Sequence, residues 1–176
     1  LAAVNGIGSG DALETDLLTL AASNTSSGNI EGDDVGANAN LLTIGTVGTS
    51  VGVTNTAAGG TVVIRNASPL TVAADISSVG DVTQTAGDTA AAGDDLTVNA
   101  GVTIESTGGN ITLTAGDDAD IDGDLSASSG TVTINVDPSA GDPDVEVGAT
   151  LDIDTASVVT TGGGTFLNGG DDNDTF

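Results

Sequence analysis

Gly60-Thr61-Val62-Val63-Ile64 returns as Gly80-Asp81-Val82-Thr83-Gln84, as Gly109-Asn110-Ile111-Thr112-Leu113 and as Gly130-Thr131-Val132-Thr133-Ile134, with a weaker echo at Gly164-Thr165-Phe166-Leu167. Each copy is a glycine, a small polar residue and then an alternating strand. The glycines lie 20, 29, 21 and 34 residues apart. The short steps set a unit of about 20 residues, in the range of solenoid repeats. The long steps are the same unit carrying an insertion. The last insertion holds Asp137-Pro138-Ser139-Ala140-Gly141-Asp142-Pro143-Asp144, the clearest loop in the chain.

Between the glycines run short β-branched segments: 41–44, 61–64, 70–72, 96–98, 102–104, 111–114, 132–136, 145–147 and 151–153. They alternate apolar and polar residues and end at Gly, Asn, Asp or Ser, which is a strand signature. Residues 11–22 allow a helix instead, with Leu13, Leu17 and Leu20 at helical spacing and Asp11 and Glu14 in capping-box positions. An all-β sandwich also has strands at regular spacing. A β-solenoid accounts better for the repeated glycine opening and the small core residues. Its strands pair one coil on, its aliphatic side chains stack inward, and Thr, Asp and Asn face out. Coils of about 20–25 residues predict roughly seven or eight coils and a rod of about 35–40 Å. Acidic, glycine-rich chains can be disordered. Here 38% of the residues are hydrophobic, mostly Val, Ile and Leu in alternation with Thr, which disordered acidic chains seldom keep.

Charge narrows the function. One Arg, Arg65, and no Lys stand against 26 acidic residues, giving a formal net charge of −25. Phosphate contacts need Lys and Arg, so nucleic acid is excluded as a partner. Anionic membrane surfaces are disfavoured for the same reason, and no run reaches the ~20 apolar residues of a membrane span. Arg65 itself is expected to pair with a nearby carboxylate at the surface. Without Cys or His there is no disulfide, thiolate or imidazole chemistry. The start of the chain shows no signal-peptide pattern, and the chain reads as a segment of something longer.

Ala73-Ala74-Asp75-Ile76, Asp94-Asp95-Leu96-Thr97-Val98-Asn99-Ala100 and Gly109-Asn110-Ile111-Thr112-Leu113-Thr114-Ala115-Gly116-Asp117-Asp118 resemble the repeats of large bacterial surface and secreted proteins. These are the filamentous-haemagglutinin-like β-strand-repeat proteins. Asp11-Ala12-Leu13-Glu14-Thr15, Leu20-Ala21-Ala22-Ser23 and Leu42-Thr43-Ile44-Gly45 are similar to the same repeats, which favours strand over helix at 11–22. The resemblance covers most of the chain through low-complexity motifs. It implies a right-handed parallel β-helix over 1–166, an extracellular or cell-surface location, a part in adhesion or biofilm, and no catalytic residues.

Residues 167–176, Leu167 to Phe176, are similar to one RTX nonapeptide, G-G-x-G-x-D-x-U-x. Gly169, Gly170, Asp174 and Phe176 fit the pattern, and Asp172 stands where a third glycine is expected. That family binds Ca²⁺ between stacked turns, so Gly169, Asp171, Asp172 and Asp174 are candidate calcium positions. A single truncated copy does not complete a site, and the competing reading is a plain acidic turn.

A second calcium candidate lies inside the chain. Asp118-x-Asp120-x-Asp122-Gly123 has the ligand spacing that opens an EF-hand loop, and Asp124 extends the acidic row. Leu125 suits the eighth place and Ser126 the ninth. The twelfth is Ser129, where the loop needs a bidentate Glu. As solenoid wall, the same stretch turns Ala119, Ile121 and Leu125 inward and the carboxylates outward. Wall is the better reading, and an outward row of carboxylates can still hold Ca²⁺ weakly.

Paired carboxylates serve glycoside hydrolysis, but these Asp residues occupy nearly every turn and single out no pair. There is no Trp or Tyr to stack a sugar ring. An ice-binding face built on Thr83-Gln84-Thr85, Thr112-Leu113-Thr114 and Val132-Thr133 is weakened because Thr-x-Thr does not recur in every unit. The expected function is therefore structural: an adhesin stalk or surface-matrix segment meeting cell-surface or matrix components. The alternatives are a head-to-tail filament of identical copies and a calcium-dependent module.

Overall fold

The computed structural model describes residues 1–35, 41–67, 69–90, 92–138, 148–154, 159–170 and 175–176. Among them there is no helix. The first coil is β1 (Ala2–Ala3), β2 (Leu13–Thr15) and β3 (Thr19–Leu20), and the second is β4 (Ala22–Asn24), β5 (Ile30–Asp34) and β6 (Leu42–Ile44). A small antiparallel hairpin follows, β7 (Thr46–Val47) and β8 (Ser50–Val51). The third coil is β9 (Val53–Asn55), β10 (Val62–Asn66) and β11 (Leu70–Val72). The fourth is β12 (Ile76–Ser78), β13 (Val82–Ala86) and β14 (Leu96–Val98). The fifth is β15 (Thr103–Ser106), β16 (Ile111–Ala115) and β17 (Ala119–Ile121). The sixth is β18 (Asp124–Ala127), β19 (Thr131–Val136) and β20 (Leu151–Ile153), and a seventh begins with β21 (Val159–Thr161) and β22 (Gly164–Asn168).

Each coil gives one strand to each of three sheets, and every coil-to-coil pairing is parallel. The first sheet runs β1-β4-β9-β12-β15-β18-β21, the second β2-β5-β10-β13-β16-β19-β22, and the third β3-β6-β11-β14-β17-β20. This is a parallel β-helix, as the sequence predicts. Six coils close instead of seven or eight, because several carry inserted corners; the rod is about 30 Å long at the ~4.8 Å strand spacing. The helix allowed at residues 11–22 does not form. Leu13 and Leu20 lie in separate faces of the first coil, with Leu17 at the corner between them, and β2 and β3 add to the second and third sheets. The segment expected at 145–147 lies outside the described residues.

The glycine repeat is a physical stack at the corner between the first and second sheets. Val62, Val82, Ile111 and Val132 are ladder partners, so Gly60, Gly80, Gly109 and Gly130 fall in one column. There is no room in it for side chains. A Cβ on Gly80 would lie 2.7 Å from the Gly59 carbonyl oxygen, and one on Gly130 would lie 2.2 Å from that of Gly109. The final echo is one residue out: Thr131 pairs with Gly164 and Val132 with Thr165, so Gly163, not Gly164, continues the column. Phe166 consequently pairs with Thr133 on the outer surface.

Inward positions form unbroken ladders. On the third sheet Leu42, Leu70, Leu96, Ala119 and Leu151 stack, beside Ile44, Val72, Val98, Ile121 and Ile153. Ile30, Val62, Val82, Ile111 and Val132 line the second sheet. Nearly all are fully buried. A parallel in-register stack puts each β-branched side chain on a like neighbour, and no large aromatic is needed to fill so thin a core.

A polar side chain interrupts one ladder in mid-rod. Gln84 sits between Ile64 and Leu113, fully buried. Its Nε2 donates to the Thr83 carbonyl at 2.8 Å, while its Oε1 has no donor. A buried unpaired acceptor is costly. Gln84→Met, close in shape and free of that acceptor, is expected to raise stability by about 1 kcal/mol in urea denaturation; a loss of stability would show that the amide is satisfied in solution.

Polar side chains close the corners. Asn24, Asn55, Ser78 and Ser106 occupy one buried column at the end of the first sheet. Asn24 Nδ2 donates to Asn55 Oδ1 at 3.0 Å, and Ser78 and Ser106 donate to the carbonyls of Gly60 and Gly80 at 2.7 and 2.8 Å. At strand entrances a second device recurs: an Asp or Asn oxygen accepts the backbone N–H of the matching residue one coil on. Asn29 accepts from Thr61, Asp81 from Asn110 and Asn110 from Thr131, at 3.1, 2.7 and 2.9 Å.

Candidate functional site

The row Asp118, Asp120, Asp122 and Asp124 begins just before β17, follows that strand and its corner, and ends at the first residue of β18. Ala119, Ile121 and Leu125 are buried, and Asp118 and Asp120 are exposed. Along an extended strand, residues two apart stand about 6.6 Å from one another, so the chain spreads these carboxylates where an EF-hand loop would curl them around an ion. Asp118 is one of the entrance acceptors. Its Oδ1 takes the Thr150 N–H at 2.6 Å, while Asp118 N–H donates to Asp95 Oδ1 at 3.3 Å. Gly123 is required by close packing: a Cβ there would lie 2.7 Å from the Val102 carbonyl oxygen and from Val98 Cγ1. Asp118 and Gly123 therefore serve the wall.

The fold adds partners across coils. Asp120 is directly opposite Asp152 in the β17–β20 pair, and Ile121 opposite Ile153. Asp154 follows, with its N–H donating to the Ile121 carbonyl at 3.1 Å. Asp120 and Asp122 thus face Asp152 and Asp154 at about one strand spacing. Burial against the strand, together with the charges of Asp122, Asp152 and Asp154, raises the Asp120 pKa above its ordinary value of 3.8. Sequence reasoning passed over Asp152 and Asp154. Their signal was the repeated Asp-Ile-Asp at 120–122 and 152–154, legible only once the coil step is known. Among the described residues no three acidic side chains converge as a metal-binding group.

A raised carboxyl pKa means that the folded state holds the proton more tightly than the unfolded chain. The ionised group then opposes folding above its folded pKa, and this opposition fades as pH falls toward 3.8. Asp120→Asn is expected to melt higher than the wild type at pH 7, with the gap closing as pH is lowered through that window. A gap that stays constant from pH 7 to pH 4 would show that like-charge crowding at Asp120 is absent.

Other acidic groups organise a corner between the second and third sheets. Asp94 and Asp117 are buried. Asp117 Oδ2 accepts the N–H groups of Gly93 and Asp94 at 2.6 and 2.8 Å, and Asp94 accepts from Thr89. Burial raises the Asp95 pKa; the Asp118 N–H lowers it, and the charges of Asp118, Asp117 and Asp94 raise it again. Arg65 pairs with Asp33 at 3.1 Å on the outer surface, as its isolation in the sequence led us to expect. In the RTX-like segment β22 runs to Asn168, and Gly170 packs against Asp137. Gly169 is partly exposed, and Asp171, Asp172 and Asp174 lie outside the described residues.

Fold and surface together define a parallel β-helical repeat segment with an acidic exterior. No protein-family model, no curated protein and no solved structure matches the chain.

Proposed function

We propose that this chain is a structural segment of a large extracellular bacterial repeat protein, a stiff stalk or matrix spacer that is not an enzyme. The observation that carries this reading is the unbroken register of three parallel sheets through six coils, over continuous aliphatic ladders. Such a body resists bending because each coil is hydrogen-bonded to the next along its three sides. Its surface carries a high negative charge, which keeps a long secreted rod soluble. Cell-surface or matrix components are the partners that suit a stalk of this kind.

A second reading rests on the end strands. β1, β2 and β3 lie at one edge of the three sheets and β20, β21 and β22 at the other. All point the same way, so the last coil of one copy matches the first coil of another. That contact is heterologous and does not close, which yields a filament. A third rests on the facing pairs Asp120/Asp152 and Asp122/Asp154, which suit weak binding of Ca²⁺ between coils.

Sedimentation velocity over a range of concentrations, with and without Ca²⁺, separates the three. A folded monomer indifferent to both variables supports the spacer. Concentration-dependent polymers support the filament, and folding that appears only with Ca²⁺ supports the calcium module.

A further inference from the structure

The outer face of the second sheet changes character along the rod. Its first rows are charged: Glu31 and Asp33 on β5, then Val63 and Arg65 on β10. From β13 onward two outward columns read Thr83 and Thr85, Thr112 and Thr114, Thr133 and Asn135, and Phe166 and Asn168, all in register. None is charged, on a chain of net charge −25. The Thr-x-Thr pairs that look scattered in the sequence, 29 residues apart at Thr83 and Thr112 and 21 at Thr112 and Thr133, are consecutive rows here. The insertions between coils leave the register of this face intact.

The result is a two-dimensional lattice. Rows are about 4.8 Å apart along the rod, and columns about 6.6 Å apart along each strand. Threonine is stiff at χ1, so its hydroxyl and methyl hold fixed places without ordering cost. Asn135 Nδ2 donates to Thr114 Oγ1 at 3.2 Å, and Asn168 Nδ2 to Asn135 Oδ1 at 2.8 Å, which locks the second column coil to coil. A carboxylate would impose its own hydration shell on nearby water; in these two columns the rows β13, β16 and β19 carry only hydroxyls, one amide and methyls, and Phe166 ends the pattern on β22.

We propose that this face binds ice. Oxygen rows on the faces of hexagonal ice repeat at distances close to these two spacings, so a layer of water held by the threonines is already arranged to join the crystal. The other flat, uncharged ligands fit less well. Sugar rings want aromatic platforms, and the rows β13, β16 and β19 carry none. A lateral contact between two copies would bury, from the same spacings, roughly 300–400 Å² on each, about half of the ~800 Å² per partner of a stable interface.

The test is partition into a slowly growing ice hemisphere with fluorescently labelled protein. The wild type is expected in the ice fraction at severalfold the level of an inert protein of similar size. Thr112→Tyr, a bulky change in the middle of the lattice that keeps strand propensity, is expected to fall to the inert level. Ser77→Tyr, on the outer face of β12 in the first sheet, is expected to match the wild type. Retained fold is checked by circular dichroism and by resistance to trypsin, whose single site is Arg65 within β10. Exclusion of the folded wild type from ice would overturn the proposal. So would equal retention of Thr112→Tyr, retention on crystalline cellulose in place of ice, or a dimer that Thr112→Tyr dissolves. None of these outcomes bears on the stalk reading, which sedimentation tests separately.

Discussion

Gly130→Ala is expected to destabilise the rod by about 3 kcal/mol, at the upper end of what overpacking costs. The methyl would be built 2.2 Å from the Gly109 carbonyl oxygen, 2.6 Å from the Gly109 carbonyl carbon and 2.6 Å from Asn110 Oδ1. Two of those atoms are backbone, fixed by the β16–β19 ladder, so neither neighbour can rotate away. Room can be made only by spreading two coils, which lengthens hydrogen bonds on the second sheet and disturbs the ladder beneath. The same substitution at Gly32 is expected to have the opposite sign. Gly32 sits opposite Ile64 in an inward column, beside a small apolar cavity lined by Ile7, Leu20, Ile30 and Leu42. A methyl there would meet Ile64 Cδ1 at 3.6 Å, ordinary contact distance. Gly32→Ala should add about 0.5–1 kcal/mol by restricting the unfolded chain and filling space. Thermal melts of the two variants check both signs; for a chain of this size the loss at Gly130 corresponds to roughly 6–12 °C. Similar melting of both would mean that the coils have enough play to admit a side chain, and the glycine column would lose its explanation.

That pair of glycines shows what the sequence could convey. The column Gly60, Gly80, Gly109 and Gly130 was legible because glycine stands where nothing else fits and the strand after it alternates. Leu70–Val72, Leu96–Val98 and Leu151–Ile153 were legible from the same alternation, with their bounds. The first sheet was harder to see. Its strands read Ala22–Asn24, Val53–Asn55 and Ile76–Ser78, each with a single apolar residue at its start and a buried polar one at its end. By hydrophobic period these look like turns; only the coil-to-coil pairing of Asn and Ser makes them core. Leu13, Leu17 and Leu20 imitate a helix because β2, the single corner after it and β3 are so short that one leucine from each falls at nearly helical intervals. The acidic row was ambiguous as a metal motif for a related reason. Asp at alternate positions is compatible with a loop that curls around an ion and with a strand that stands its side chains outward, and the sequence spacing of 118, 120 and 122 is the same in both. Asp152 and Asp154, the residues that face them, lie one coil away across an insertion of unpredictable length.

The buried asparagine of the third coil is expected to matter more than any single aliphatic contact at that corner, because it replaces a turn's missing backbone pairing. Asn55 Nδ2 donates to the carbonyls of Gly28 and Thr61 at 3.1 and 2.9 Å. Its Oδ1 accepts from Ala57 N–H at 3.1 Å and from Asn24 Nδ2 at 3.0 Å. Four groups from two coils thus converge on one amide that is almost completely buried. Asn55→Ala removes all four bonds. The Gly28 and Thr61 carbonyls keep bonds from Asn24 Nδ2 and Ile30 N–H, and Asn24 keeps its bond to the Ser27 carbonyl, so Ala57 N–H alone is stranded; four lost bonds at roughly 0.5–1 kcal/mol each give about 3 kcal/mol. Ser78, one coil on in the same column, makes a single bond to the Gly60 carbonyl, and Ser78→Ala should cost about 1 kcal/mol. A cavity would produce a similar ranking, so Asn55→Leu decides between the two causes. It restores volume and no hydrogen bond. If polar satisfaction holds the corner, Asn55→Leu melts as low as Asn55→Ala. Recovery to near the wild-type midpoint with leucine would show that the corner needs only filling, and that the asparagine column is dispensable to the stacking of the coils.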